Sequence, residues 1–315
     1  MSILGKYSIA FPARDAFYHG LSKEFYNEFY EFRHTFDEAS DFMNEDIYEV
    51  AYVNPKMKPE LHTVCLITHC MALYKVLLLH IERPHAAIGF SQGEFAAVTA
   101  AGSVSFPEVL KLVYELELLL INDTAISNGS MVRVMELDRE ILRECCNSID
   151  PNEDSITLSI TYSNDQNVVS GRSEKIREIS RLAKEKGARW VIPLDGSGAF
   201  HSPLCRNILH ASKQIFDQYQ FHDADYAVSS CVDGNMSMDG ENIKAKLSQQ
   251  IAMPILWDAL IRNQKEYGSN CILELGSGCT ISGNTRIIDD SITCKWISNM
   301  NDFKEVIKMV ERRYG

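Results

Sequence analysis

The residues best suited to chemistry lie in Ala87-Ile88-Gly89-Phe90-Ser91-Gln92-Gly93-Glu94-Phe95-Ala96-Ala97. An apolar approach runs into Gly-x-Ser-x-Gly, and a helix-forming segment follows. This is the pattern of a nucleophile elbow, a sharp strand-to-helix turn that lifts a serine hydroxyl above a sheet. Its glycines permit a close strand–helix approach that a Cβ would block. The helix after it points its N-terminal amides, and the positive end of its dipole, at charge developing near Ser91. An ordinary glycine-containing turn has the same local pattern, so the reading depends on a base that can activate the alcohol.

The chain has nine histidines. His69 and His80 fall in a densely apolar helical stretch, where a satisfied core histidine is expected, and His19 and His34 in a charged helical region. His201 differs. It lies in Gly196-Ser197-Gly198-Ala199-Phe200-His201-Ser202-Pro203-Leu204, a small-residue loop after a predicted strand, with a helix start at Ser202-Pro203. Loops at strand ends are where reactive side chains are displayed.

The elements that must position this pair follow from patterning. Tyr7 to Pro12 reads as a short buried strand and Phe17 to Met43 as one or two helices. Lys56 to His80 is too apolar for a helix with one exposed face. Pro84 breaks the chain before the strand entering the elbow, Glu94 to Ala101 is helical with Gly102 as its cap, and a helix begins at Phe106 or Pro107. Strand, helix, strand, elbow and helix in this order predict an α/β domain with a parallel sheet. From Asn128-Gly129 to Pro193 the order becomes β-α-β-β-α-β, which matches a ferredoxin-like unit. The expected organisation is an α/β-hydrolase-like large domain (1–127 and 196–315) with an inserted ferredoxin-like subdomain (128–195). Ile272 to Gly276 reads as a late strand with a turn, and Phe303 to Arg313 as a closing helix.

Composition narrows the function classes. With 45% hydrophobic and 23% charged residues, the sequence is that of an ordinary globular protein. A formal net charge of −12 argues against nucleic acid as a partner. No long uncharged apolar run predicts a membrane span, and Met1 to Tyr7 lacks signal-peptide character, so a cytoplasmic protein is expected. Nine scattered cysteines without a Cys-x-x-Cys pair point to neither a metal site nor a disulfide framework.

Several segments together resemble one family. Gly89 to Val98 is similar to the Gly-His-Ser-x-Gly-Glu elbow of malonyl-CoA:acyl carrier protein transacylases and polyketide synthase acyltransferase domains. Gly198 to Leu204 resembles the catalytic-histidine motif of the latter. Gln166-Asn167-Val168-Val169-Ser170-Gly171, Met253-Pro254-Ile255-Leu256-Trp257 and Leu273-Glu274-Leu275-Gly276-Ser277-Gly278 resemble further landmarks, in family order across nearly the whole chain. The resemblance implies a Ser91–His201 dyad and a histidine oriented by the Leu256 carbonyl. It also implies an oxyanion hole from the backbone N–H groups of Gln92 and Arg14, and no metal or cofactor of the enzyme's own. Phosphopantetheine belongs to the substrates, an acyl-CoA or acyl-carrier-protein donor and an acyl carrier protein acceptor. Lys175, Arg177, Arg181, Lys184, Lys186 and Arg189 are candidates for carrier docking, although a solvated helix face would look the same.

The departures bear on substrate. The glycine-containing oxyanion loop of the family is here Phe11-Pro12-Ala13-Arg14-Asp15-Ala16-Phe17, Thr63 replaces a glutamine, and Phe90 replaces a histidine. The family arginine that clamps a malonyl carboxylate stands twenty-five positions after the serine, and Leu116 occupies that position. Glu115 and Glu117 beside it would repel a dicarboxylate if they faced the pocket. Phe90, Leu116 and Phe200 are expected to line the acyl pocket. The expected activity is transfer of an uncharged acyl group through acyl-Ser91. Hydrolysis of stalled acyl-carrier-protein thioesters and a non-catalytic docking scaffold are the alternatives.

Overall fold

The computed structural model describes residues 6–17, 20–54, 58–194, 198–278 and 280–311. The expected subdomain boundary at 195/196, with Gly196 and Ser197 of the histidine loop, lies outside the described residues, as do the first residues of the chain, Cys279 and Arg313. Strand β1 (Tyr7–Phe11) is buried along its whole length, as are β2 (Ala86–Gly89) and the strand at Cys271–Glu274. Short runs of Ile, Ala, Leu and Cys without polar alternation suit strands covered on both faces.

Between these strands run α1 (Lys23–Glu28), α2 (Tyr30–Met43), α3 (Ile47–Tyr52) and α4 (His62–Leu77). Nearly every α4 residue is buried, as its composition requires, and it packs between α2 and the helices that follow the elbow. The helix begins six residues later than its apolar run suggested, after a 3-10 turn at Pro59–Leu61. His69 is a core histidine whose Nδ1 meets the Tyr52 hydroxyl at 3.2 Å. His80, by contrast, lies exposed beyond the helix end. The elbow leads into α5 (Gly93–Ala100) and then α6 (Phe106–Asn122), which Ser105 and Glu108 start with a reciprocal capping box. A short α7 (Thr124–Ser127) ends this part.

A second, four-stranded sheet occupies the middle of the chain. It comprises β3 (Gly129–Met135), β4 (Ile156–Thr161), β5 (Gln166–Arg172) and β6 (Trp190–Pro193), with α8 (Arg139–Ile149) after β3 and α9 (Ser173–Glu185) after β5. Its order is β4-β5-β3-β6 and every pairing is antiparallel, the ferredoxin-like arrangement. Side chains alternate between its faces. Val132, Val134 and Val169 meet Leu142, Cys146, Ile176 and Ile179 under the helices, whereas Met131, Val168 and Ile160 turn toward the main body.

After the insertion come a 3-10 turn at Pro203–Ile208, α10 (Leu209–Phe216), β7 (Ala227–Ser229), β8 (Met236–Ser237), α11 (Gly240–Gln249) and α12 (Trp257–Glu266). The chain closes with β9 (Cys271–Glu274), α13 (Ile281–Ile288), β10 (Thr293–Trp296) and α14 (Met300–Glu311). The main sheet runs β10-β9-β1-β2-β7-β8, parallel except for β8, an antiparallel edge strand absent from the sequence expectation. Because β1 and β2 are parallel neighbours, their carboxyl ends emerge side by side, setting the Arg14 turn next to the elbow. The cysteines among the described residues are reduced and buried.

The close approach at this point makes Gly93 irreplaceable. A Cβ there would stand 2.1 Å from the Phe11 carbonyl oxygen, and backbone cannot swing aside as a long side chain can. Gly93→Ala is expected to cost about 2 kcal/mol or more of stability, the range for forced overpacking. Chemical denaturation checks this, and a wild-type midpoint would contradict it.

Candidate active site

The elbow reaches Ser91 directly from β2, and α5 follows it. Ser91 has φ +52°, a left-handed conformation costing a non-glycine residue on the order of 1–3 kcal/mol. The turn holds it there through bonds from Gly93 N–H to the Phe90 carbonyl and from Glu94 N–H to the Ser91 carbonyl. Gly89 is needed as much as Gly93, since a Cβ on it would lie 2.1 Å from the Glu94 backbone. The Gln92 amide sits at the helix N-cap, and Arg14 opens a 3-10 turn, positions that leave first-turn N–H groups without helical acceptors. Ala13 is extended, with φ −80° and ψ 177°, so the oxyanion-loop segment turns here without a glycine.

His201 approaches from the other half of the chain. Its Nε2 lies 2.8 Å from Ser91 Oγ, and both side chains are buried. His201 also has a positive φ, +55°, held by its own N–H donating to the Ile251 carbonyl. Ser202 secures the turn by donating to the Ala199 carbonyl and accepting the Leu204 N–H. On the far side of the ring, Nδ1 faces the carbonyl oxygens of Gln250 at 3.1 Å and Met253 at 3.2 Å. Two acceptors require Nδ1 to carry the proton, which leaves Nε2 as the acceptor for the Ser91 hydroxyl. Burial pushes the imidazole down to about 4, against the two carbonyls, which raise it. The ring is therefore neutral at ordinary pH and able to take a proton.

Gln250 ties the two halves together. Its side-chain amide donates to the Ser91 carbonyl at 3.0 Å and to the Glu94 carboxylate at 2.5 Å, while its backbone carbonyl receives His201. Glu94 is fully enclosed and also accepts the Cys231 N–H at 3.2 Å. Burial raises Glu94 to about 7, with Gln250 and Cys231 pulling it back.

Two spaces open beside this machinery. A cleft of about 1110 Å³ runs between the main body and the second sheet, lined by Arg14, Glu117, Ser130, Met131, Leu194 and Phe200, and by Arg177, Arg181 and Lys184 of α9. A small pocket of about 40 Å³ sits against Ser91 and Gln92, lined by Phe95, Val113, Leu116, Leu120, Ile208, Phe216 and Leu247. Since roughly 10–15 Å³ holds one water, this pocket takes only a few heavy atoms without rearrangement. Glu117 and Leu120 line both spaces. The Glu117 carboxylate accepts the Thr63 hydroxyl and pairs with Arg14 Nη1 at 3.4 Å.

The sequence belongs with proteins of known kind. Residues 20–274 match the family described as "Acyl transferase domain". The chain belongs to the acyl transferase domain family. It is 27% identical over 304 residues to the malonyl CoA-acyl carrier protein transacylase of Staphylococcus aureus (strain MRSA252), covering 96% of this chain and 98% of that protein. The namesake from Bacillus subtilis (strain 168) is 26% identical over 283 residues, 89% of each chain. Among solved structures, the malonyl CoA-acyl carrier protein transacylase of Coxiella burnetii superposes with a TM-score of 0.92 at 21% identity, covering 98% of this chain and 99% of that one. A malonyl-transacylase solved with a type II polyketide synthase acyl-carrier protein superposes at 0.89 with 22% identity, covering 98% and 99%. These likenesses share the fold described above.

In this acyltransferase two expected site residues stand elsewhere. The carbonyl of Leu256 does not face His201; it accepts the Leu260 N–H at the start of α12, while Ile255 pairs with β4. The carbonyls that face the histidine precede Pro254, at the 3-10 turn of Gln250, whose oxygen also accepts the Met253 N–H, and at extended Met253. Phe90 does not line the small pocket against Ser91. It stacks on Tyr162 (centroids 5.9 Å apart, 3° between planes) and meets Trp257 edge-on, joining the elbow to the second sheet. Leu116 lines the small pocket and Phe200 the cleft. Gln250 and the Arg14–Glu117 pair were missed. Glu94 was visible inside the elbow segment, but nothing local revealed its partner 156 positions away.

No group of three or more His, Cys, Asp or Glu is placed to hold a metal among the described residues, and no described helix is long and apolar enough to cross a membrane.

A base is effective when neutral, so lowering its pKa extends activity toward acid. Single-turnover acylation of Ser91 after a brief pH jump is expected to fall only as pH drops through about 4, not through the 6.5 of an ordinary imidazole. An acid limb at the ordinary value would contradict this account of His201.

Proposed function

We propose that this acyltransferase carries a short, uncharged acyl group from an acyl thioester to the phosphopantetheine thiol of an acyl carrier protein. The observation that carries the catalytic part of the reading is the 2.8 Å contact between Ser91 Oγ and a His201 Nε2 held as an acceptor. Ser91 Oγ attacks the thioester carbonyl while His201 Nε2 takes its proton. The amides of Gln92 and Arg14 receive the developing oxyanion. Collapse of the tetrahedral intermediate breaks the C–S bond, and His201 returns the proton to the departing thiol. The acceptor thiol then gives its proton to His201, attacks the acyl-Ser91 ester and releases the Ser91 hydroxyl with that proton. The cofactor arm belongs to donor and acceptor, and the wide cleft suits its length.

Carrier protein as acceptor is supported by the named activity of the relatives and by the basic side of the cleft. Arg177, Arg181 and Lys184 of α9 would meet the acidic surface of a carrier protein. Charge reversal at Arg177 and Lys184 is expected to raise KM for the carrier protein severalfold, more at low salt, with little change in acylation by a small thioester. An unchanged KM would remove this surface from the reading.

The uncharged acyl group is supported by Leu116, which offers no donor to a carboxylate, and by the small apolar pocket that it lines. An unpaired anion there would lose hydration without gaining a partner. Intact-mass measurement with a panel of acyl thioesters tests this: acetyl or propionyl adducts should form on Ser91 well ahead of malonyl, and efficient malonyl loading would refute it. Ser91→Ala should abolish the adduct and His201→Ala should slow its formation by about 10²–10⁴-fold. Adducts formed equally by Ser91→Ala would overturn the nucleophile assignment. An adduct that persists until carrier protein is added supports transfer, and prompt release of free acid without an acceptor makes the protein a hydrolase instead.

A further inference from the structure

Glu117 has no part in the acyl-transfer steps, yet it stands at the junction of cleft and pocket. Its side chain is only 3% exposed, one carboxylate oxygen accepts the Thr63 hydroxyl, and the other lies 3.4 Å from Arg14 Nη1. Arg14 lines the cleft, with its side chain 31% exposed. A guanidinium in that place is the kind of group that could bind a carboxylate arriving with a substrate. Here the protein's own carboxylate already holds it.

Resting on the proposed acyl preference, we infer that Glu117 is a specificity determinant that closes the site to dicarboxylic acyl groups. It acts in two ways. It engages the Arg14 guanidinium, and it places a fixed negative charge beside the passage from cleft to pocket. Leu116 removes a favourable contact for a malonyl carboxylate, whereas Glu117 adds an unfavourable one. Specificity built from repulsion as well as missing attraction is more discriminating than either alone.

The geometry of the pair makes the two contributions separable. Glu117→Gln keeps the size and an oxygen for the Thr63 hydroxyl while removing the charge and freeing Arg14. The readout is the ratio of malonyl to acetyl adduct on Ser91 after exposure to equal malonyl-CoA and acetyl-CoA, measured by intact mass. The ratio is expected to rise by about tenfold or more in E117Q, the scale of relieving a like-charge contact. It should fall only part of the way toward the wild-type value in the R14Q/E117Q double variant, because the released guanidinium is gone while the repulsion stays relieved. E117D, which keeps the charge, should keep the wild-type ratio. R14Q alone should not raise the ratio, and this variant leaves the buried Glu117–Thr63 contact in place if E117Q folds poorly. A ratio unchanged in E117Q, or raised in R14Q, would overturn the role of Glu117. Ready malonyl loading by the wild-type protein would instead overturn the acyl preference on which the inference rests.

Discussion

The contact on which the active centre depends is the buried bond between the Gln250 amide and the Glu94 carboxylate. Ser91 and His201 belong to segments 110 positions apart, and a dyad works only if both are held within a few tenths of an ångström. Gln250 bonds to the elbow through Ser91 and Glu94 and receives the histidine on its carbonyl, so one residue fixes both partners. Inside the protein such bonds are strong because no water competes, and for the same reason an unpaired Glu94 would be costly. The positive φ angles of Ser91 and His201 are tolerated because this network and the surrounding turns leave them no alternative.

A second constraint comes from the joining of two sheets. The ferredoxin-like sheet turns Met131, Val168 and Ile160 toward the main body, where they meet Phe90 and Trp257. Arg139 at the start of α8 reinforces the junction, bonding Asp258 of α12 at 2.7 Å, and the Thr161 hydroxyl bonds the same carboxylate. The wide cleft exists because these contacts hold the sheets together at one side and leave the α9 face open at the other. Phe90 thus changes meaning. Next to Ser91 in sequence, it packs into the junction of the two sheets.

Charge is distributed with the same economy. The protein is acidic overall, yet the cleft wall contributed by α9 is basic. Other charges of that subdomain pair locally, Lys175 with Glu178 and Arg189 with Glu136, and on the wall itself Arg181 also pairs with Glu185. At the inner end of the cleft, Glu117 compensates the Arg14 guanidinium beside the pocket.

What the sequence determined by itself was whatever depends on neighbours in the chain. The elbow is legible because Gly89, Ser91 and Gly93 must stand at that spacing for strand and helix to pack, and α4 because its apolar residues exceed one face. The β-α-β-β-α-β order emerged from alternating and helical periodicities long enough to read. The brief β7 and β8 carried too few residues for any pattern. Tertiary structure alone decided which carbonyls face His201, since the Leu256 oxygen accepts within α12 while those of Gln250 and Met253 turn toward the ring. It alone turned Phe90 into the sheet junction and joined Glu117 to Arg14 across 103 positions. Hydrogen bonds and ion pairs between distant segments depend on where the packed elements bring those segments, and no local spacing records that.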